Sequence, residues 1–179
     1  MKTLLIVAGA IATLLIVAFV VVLLIGRSLP VRHHVVREAR IPAEPSAVFA
    51  AITDVARFPS WRSGISSVEP LPSQGGLRRW RERSGGDAIL YEATQESPPA
   101  ELVTRIADPS LPFGGSWAYD LRPDGVGGTT IRITENGEVY NPVFRFVSRY
   151  VMGHAKTVET YLDDLSRHFA QSGSSARRQ

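Results

Sequence analysis

One carboxylate in this 179-residue chain stands where it could do chemistry. In the run Thr129–Tyr140, TTIRITENGEVY, strict alternation puts Glu135 on the same strand face as Ile131 and Ile133. A carboxylate on an apolar face has its charge disfavoured, so it suits binding a hydroxyl or acting as acid or base. A tyrosine is the natural second member of such an acid–base pair. Two plainer readings stand beside it: the strand end opens to water, or an arginine pairs with the carboxylate. Glu82 and Glu92 are weaker versions of the same pattern.

The histidines argue against a metal. His33 and His34 are adjacent in a strand pattern, so they point to opposite faces and cannot share an ion. His154 and His168 fall on one helix nearly four turns apart. His154 lies on the apolar side of that helix, as a core or cavity-rim residue or a pH-sensitive ligand contact. With no cysteine, the chain has no thiolate nucleophile and no zinc–thiolate set. The glycine pairs at 75–76, 85–86, 114–115 and 127–128 fit hairpin turns, not a phosphate loop opening a helix. No cofactor is implied.

The aromatic residues Trp61, Trp80, Tyr91, Trp117, Tyr119, Tyr140 and Phe144 are each ordinary core candidates. As a set they suit an apolar cavity with a few polar tips from tyrosine hydroxyls and tryptophan N–H groups.

The elements that position these residues follow from periodicity. Asn141 and Pro142 are a helix start signal, and apolar residues recur at helical spacing from Val143 to Phe169. This reads as one long amphipathic helix. Upstream, Arg32–Ile41 is a strand, Ser46–Ala56 a helix, and Phe58–Trp61 a short helix or turn. Six short strands follow between Ile65 and Tyr140, separated by Gly- and Pro-rich turns, with Gly137 marking a bulge or bend. The expected fold class is α+β, a curved antiparallel sheet of about seven strands wrapped round the C-terminal helix. The tail 170–179 is polar and reads as disordered.

The first 26 residues stand apart. Thr3–Ile25 carries no charge, and at about 1.5 Å per residue it makes a helix roughly 34 Å long, enough to cross a bilayer. It reads as a transmembrane anchor joined by a linker, 27–31, to a domain spanning 32–169. The apolar stretch is too long for a cleaved signal. Arg27, Arg32, Arg37 and Arg40 follow the span and only Lys2 precedes it, which favours a cytoplasmic domain on a single-pass membrane protein. The net charge of +3 is scattered, so nucleic acid is not an expected partner.

The segment Ile41–Trp61, IPAEPSAVFAAITDVARFPSW, resembles the opening of the SRPBCC superfamily, which groups START, Bet v 1 and polyketide cyclase-like proteins. The run GGSWAYDLRPDGVGGTTIRITENGEVYNPVFRF resembles the last hairpin and grip helix of bacterial members described as polyketide cyclase or dehydrase-like. The resemblance spans residues 32–169. It implies a helix-grip fold with a hydrophobic cavity that holds lipids, polyketides, isoprenoids or similar molecules. It does not imply catalysis, since many members only bind. Three functions therefore stand open: a membrane-anchored module binding a hydrophobic small molecule or lipid, gated by the Leu111–Phe113 loop; a cyclase or dehydratase-like enzyme using Glu135 and a tyrosine; and a structural or interaction domain filled by its own aromatics.

Overall fold

A computed structural model describes residues 1–153 and 155–176, with no side chain described for Met152 or for residues 173–176. Helix α1 (Lys2–Ser28) leads into strand β1 (Arg32–Ile41), helix α2 (Pro45–Thr53), a 3-10 turn at Val55–Arg57 and the short helix α3 (Phe58–Trp61). Six strands follow: β2 (Ser67–Gln74), β3 (Leu77–Ser84), β4 (Asp87–Ser97), β5 (Glu101–Ile106), β6 (Phe113–Pro123) and β7 (Thr129–Val139). Helix α4 (Pro142–Val147), a π-helical turn (Ser148–Met152) and helix α5 (Lys156–Ala176) complete the chain.

The sheet is antiparallel throughout, in the order β1-β7-β6-β5-β4-β3-β2. Consecutive strands are neighbours from β2 to β7, as short hairpins dictate, and β1 closes onto β7. Strand β2 runs through Pro70 and Pro72. As an edge strand it tolerates residues that cannot donate to a ladder.

The packed core lies at one end of the molecule. Ile41, Val48, Ile52, Ile131, Ile133, Val158 and Leu165 have essentially no exposure. They come from the inner faces of β1 and β7, from α2 and from α5. On α5 the buried residues Val158, Tyr161, Leu162 and Leu165 recur at helical spacing, as expected of a helix lying in a curved sheet.

Three expectations change. The long C-terminal helix is broken: α4 passes into a π turn, and Gly153 at φ 76° and ψ 132° ends that turn before α5 begins. A left-handed φ costs glycine little, so the break falls at this residue. The last helix runs through Ala176, past Phe169, because nothing in Ala170–Ser172 forces a stop and each added residue gains a backbone hydrogen bond. Residues 177–179 lie outside the described residues. Finally, Gly137 makes no bulge: it pairs in register with His33 on one side and Gly115 on the other. Its missing side chain serves a different purpose, described below.

Candidate functional site

A cavity of about 460 Å³ lies between the concave face of the sheet and the α4–α5 segment. It occupies the end of the sheet where β1 begins and β7 ends, opposite the packed core. Strand alternation points Trp117 and Tyr119 of β6, Glu135 of β7, Tyr91 of β4 and Trp80 of β3 into it. Phe144, Val147 and Ser148 of the broken helix form the far wall. Phe113 lines the mouth, so the Leu111–Phe113 loop reaches the cavity through this residue. A shallower groove of about 810 Å³ adjoins it on the outside, open to solvent and walled by Arg32, His34, Arg105 and Asp108.

Two hydrogen-bonded polar pairs stand inside. Nε2 of His33 lies 3.0 Å from Oε1 of Glu135, and both side chains are largely buried, 16% and 14% exposed. The geometry is diagonal: His33 sits in register with Gly137, and its ring crosses the space over that glycine to reach Glu135 two residues away. A Cβ on Gly137 would collide with the imidazole. Among the described residues, the second oxygen of Glu135 is buried with no hydrogen-bond partner. A buried carboxylate oxygen without a donor is costly, and a ligand hydroxyl or N–H would satisfy it.

The second pair is Arg62 and Glu82. Nη1 of Arg62 donates to Oε1 of Glu82 at 2.8 Å, and Nε1 of Trp80 donates to the same oxygen at 2.9 Å. The guanidinium also lies 4.7 Å from the ring centre of Phe58 and 5.0 Å from that of Tyr161. Burial is the largest influence and opposes the Arg62 charge, but Glu82, Tyr161 and Tyr119 together outweigh it and the pKa stands above the ordinary arginine value.

The tyrosines are held neutral. Burial, the largest cause, pushes Tyr119 up to about 12, and Arg62 only partly offsets this. Tyr91 and Tyr161 are raised for the same first reason, with Glu82 adding to the effect on each. At neutral pH these hydroxyls are therefore donors, not bases.

The sequence-predicted residues divide. Trp80, Tyr91, Trp117, Tyr119, Glu135 and Phe144 all line the cavity. Trp61 does not. It packs edge-on against Phe58 and Tyr161, at 5.6 and 5.5 Å between ring centres, and lies beside His168, because α3 turns it toward α5. Tyr140 points outward, about half exposed, and its hydroxyl donates to Oε2 of Glu138 at 2.7 Å. Alternation from Glu135 through Gly137 and Val139 carries position 140 to the outer face. His154 lies outside the described residues. Of the weaker carboxylates, Glu82 lines the cavity, while Glu92 faces away and pairs with Arg105 at 2.5 Å. The sequence reading missed Arg62 and the inward role of His33. Alternation from Val35 and Ile41 was a signal for His33; Arg62 follows a helix end, where no periodicity applies.

The model of the family described as polyketide cyclase / dehydrase and lipid transport matches residues 32–171. The chain belongs to this family. Solved structures share its fold at low identity. A START superfamily protein from Mycobacterium smegmatis is 15% identical with a TM-score of 0.63, over 78% of this chain and 98% of that one. A Thermus thermophilus protein is 21% identical with a TM-score of 0.65, over 78% and 99%. The Zhui aromatase/cyclase from Streptomyces sp. R1128 is 12% identical with a TM-score of 0.62, over 78% and 94%. No curated protein sequence matches the chain. The helix-grip expectation thus holds, and the matched region coincides with the domain that follows α1.

Proposed function

We propose that this chain is a membrane-anchored domain that holds a hydrophobic small molecule or lipid in the cavity between sheet and helix. The observation that carries this reading is the cavity itself. Its volume exceeds the lower bound of about 300 Å³ for small-molecule sites, and its walls are aromatic and aliphatic with a few converging polar groups. That argues against an interior filled by its own aromatics. Helix α1 is long and apolar enough to cross a bilayer, and its apolar stretch is unburied. The cations after it favour a cytoplasmic domain.

Native mass spectrometry after gentle detergent extraction is the test. A bound lipid or isoprenoid-sized species on the full chain is expected; a chain that arrives empty and takes up neither overturns the reading. For orientation, alkaline phosphatase fused to the C-terminus should be inactive, and activity would place the domain on the other side.

The His33–Glu135 contact favours a second reading, acid–base catalysis of the cyclase or dehydratase kind. Glu135 would take a proton from carbon beside a carbonyl, and neutral Tyr91 or Tyr119 would donate a hydrogen bond to the oxygen that gains charge. Both tyrosines and Glu135 line the same cavity. Polyketide-like β-ketones offered to the wild type and to Glu135→Gln separate the readings. Equal product from both, or none from either while the β-ketone still binds, removes the catalytic one.

A further inference from the structure

Helix α4 touches two things at once, and their meeting point locates the bilayer. On one side, Phe144, Val147 and Ser148 wall the cavity. On the other, Pro142 abuts the end of α1 so closely that a Cβ on Gly26 would overlap the Pro142 backbone. Gly26 is the buried residue of a helix otherwise largely exposed, and Nη1 of Arg145 donates to the carbonyl of Leu29 at 2.8 Å. The end of the apolar helix and the cavity wall are therefore joined directly.

The length of α1 fixes the level. If Thr3–Ile25 fills a hydrocarbon core of about 30 Å, Gly26 stands at its boundary, and α4 lies in the headgroup layer. The side chains displayed there fit that layer. Phe144, Tyr150 and Val151 are 50%, 61% and 72% exposed, clustered in one short stretch, while Arg27 and Arg149 beside them are exposed cations. Apolar side chains with an interfacial tyrosine and flanking arginines are what a helix lying in an interface presents. At the opposite end of β1, about 33 Å away by strand rise, the exposed apolar side chain is Val126 in the β6–β7 turn.

We infer that α4 and the π turn lie in the bilayer interface, with Phe144, Tyr150 and Val151 inserted, so that the cavity opens on lipid and exchanges its apolar ligand with the membrane and not with water. This rests on the membrane-anchored reading above and adds the docking surface and the route. Gly153, at φ 76°, separates α4 and the π turn from α5, so the segment beside α1 is set apart from the helix packed in the sheet.

The absence of cysteine allows a direct test on the full chain. Val151→Cys and Val126→Cys, each carrying an environment-sensitive fluorophore, are reconstituted into vesicles of phosphatidylcholine with a quarter phosphatidylglycerol. Doxyl-labelled lipids bearing the quencher near the headgroup are then added. Quenching at position 151 is expected to exceed that at 126 about threefold or more, as an interfacial residue should. Gly26→Leu, which separates α1 from Pro142, should reduce it toward the value at 126. Equal quenching at the two positions overturns the inference. Native mass spectrometry of the same sample keeps the claims apart: bound lipid with position 151 unquenched overturns the placement alone, and quenching at 151 upholds the placement even when the cavity is empty.

Discussion

The imidazole of His33 reaches Oε1 of Glu135 at 3.0 Å across Gly137, leaving Oε2 of the same carboxylate buried and without a partner among the described residues. That free acceptor faces the cavity and not a protein donor. Glu135→Gln replaces one carboxylate oxygen with an NH2 group, so a ligand that donates to Glu135 meets a donor or loses a charge-assisted bond. Affinity for the co-purified ligand should fall about tenfold, the equivalent of roughly 1.4 kcal/mol, and its occupancy should fall with it. The melting temperature of the empty protein should change little, since the amide keeps one group toward His33 and no longer presents a second carboxylate oxygen in need of a donor. Native mass spectrometry and differential scanning calorimetry read the two quantities. Unchanged occupancy in the variant would show that the ligand ignores Glu135.

Arg62 and Glu82 form the second buried pair, and their removal should not be additive. Arg62→Ala strands the Glu82 charge beside Trp80 and strips the cation from the faces of Phe58 and Tyr161. The expected loss is about 3 kcal/mol, the usual cost of breaking one side of a buried pair. The double variant Arg62→Met with Glu82→Gln removes both charges and keeps the volume, so it should lose clearly less than Arg62→Ala. Urea denaturation of the three proteins tests this. A double variant less stable than Arg62→Ala would mean that the pair stabilises the fold beyond its mutual compensation.

Alkaline pH should unfold the domain through its tyrosines. Burial raises Tyr119 to about 12 and also raises Tyr91 and Tyr161. Below the ordinary tyrosine value near pH 10 both folded and unfolded chains keep these protons, and no stability is lost. Above it the unfolded chain releases protons that the folded chain retains, so stability falls with rising pH. Tyr119 alone accounts for about 2 kcal/mol by pH 12. Tyr119→Phe should flatten this loss without changing stability comparably at pH 7. Equal alkaline unfolding curves for wild type and Tyr119→Phe would place the ionising group elsewhere.

Much of this was legible in the sequence, and the failures have physical causes. Alternation works along a paired strand: it put Glu135 on the inner face, and Trp80, Tyr91, Trp117 and Tyr119, proposed only as an aromatic set, line the same cavity. It gave His33 and His34 opposite faces, and the structure agrees: His33 meets Glu135 inside while His34 meets Asn136 outside, at 2.9 Å. What alternation lacks is register. That His33 stands opposite Gly137, one diagonal step from Glu135, is a property of the β1–β7 pairing between strands far apart in the chain. Helical periodicity likewise ran through Gly153, because a single glycine does not interrupt an apolar pattern even where it interrupts the helix. Arg62 was hidden for the opposite reason: it lies between elements, where only the tertiary turn after α3 aims it at Glu82.

Gly137 ties the fold to the site and can be tested alone. Its neighbours across both ladders, His33 and Gly115, remain in register, so the residue does not form a bulge. What it supplies is the space in which the His33 ring lies. Gly137→Ala should drive the imidazole away from Glu135 and leave that carboxylate with neither oxygen paired. The penalty is about 1–3 kcal/mol for a buried acceptor left unsatisfied, together with loss of ligand if the dyad shapes the cavity floor. Gly86→Ala is the control: it sits in the β3–β4 hairpin, and an added methyl there meets nothing within 4 Å. Thermal unfolding of both variants, with the His33 imidazole followed by NMR, decides the matter. A Gly137→Ala protein as stable as Gly86→Ala, with its His33 resonances unmoved, would mean that the ring does not depend on the space this glycine leaves.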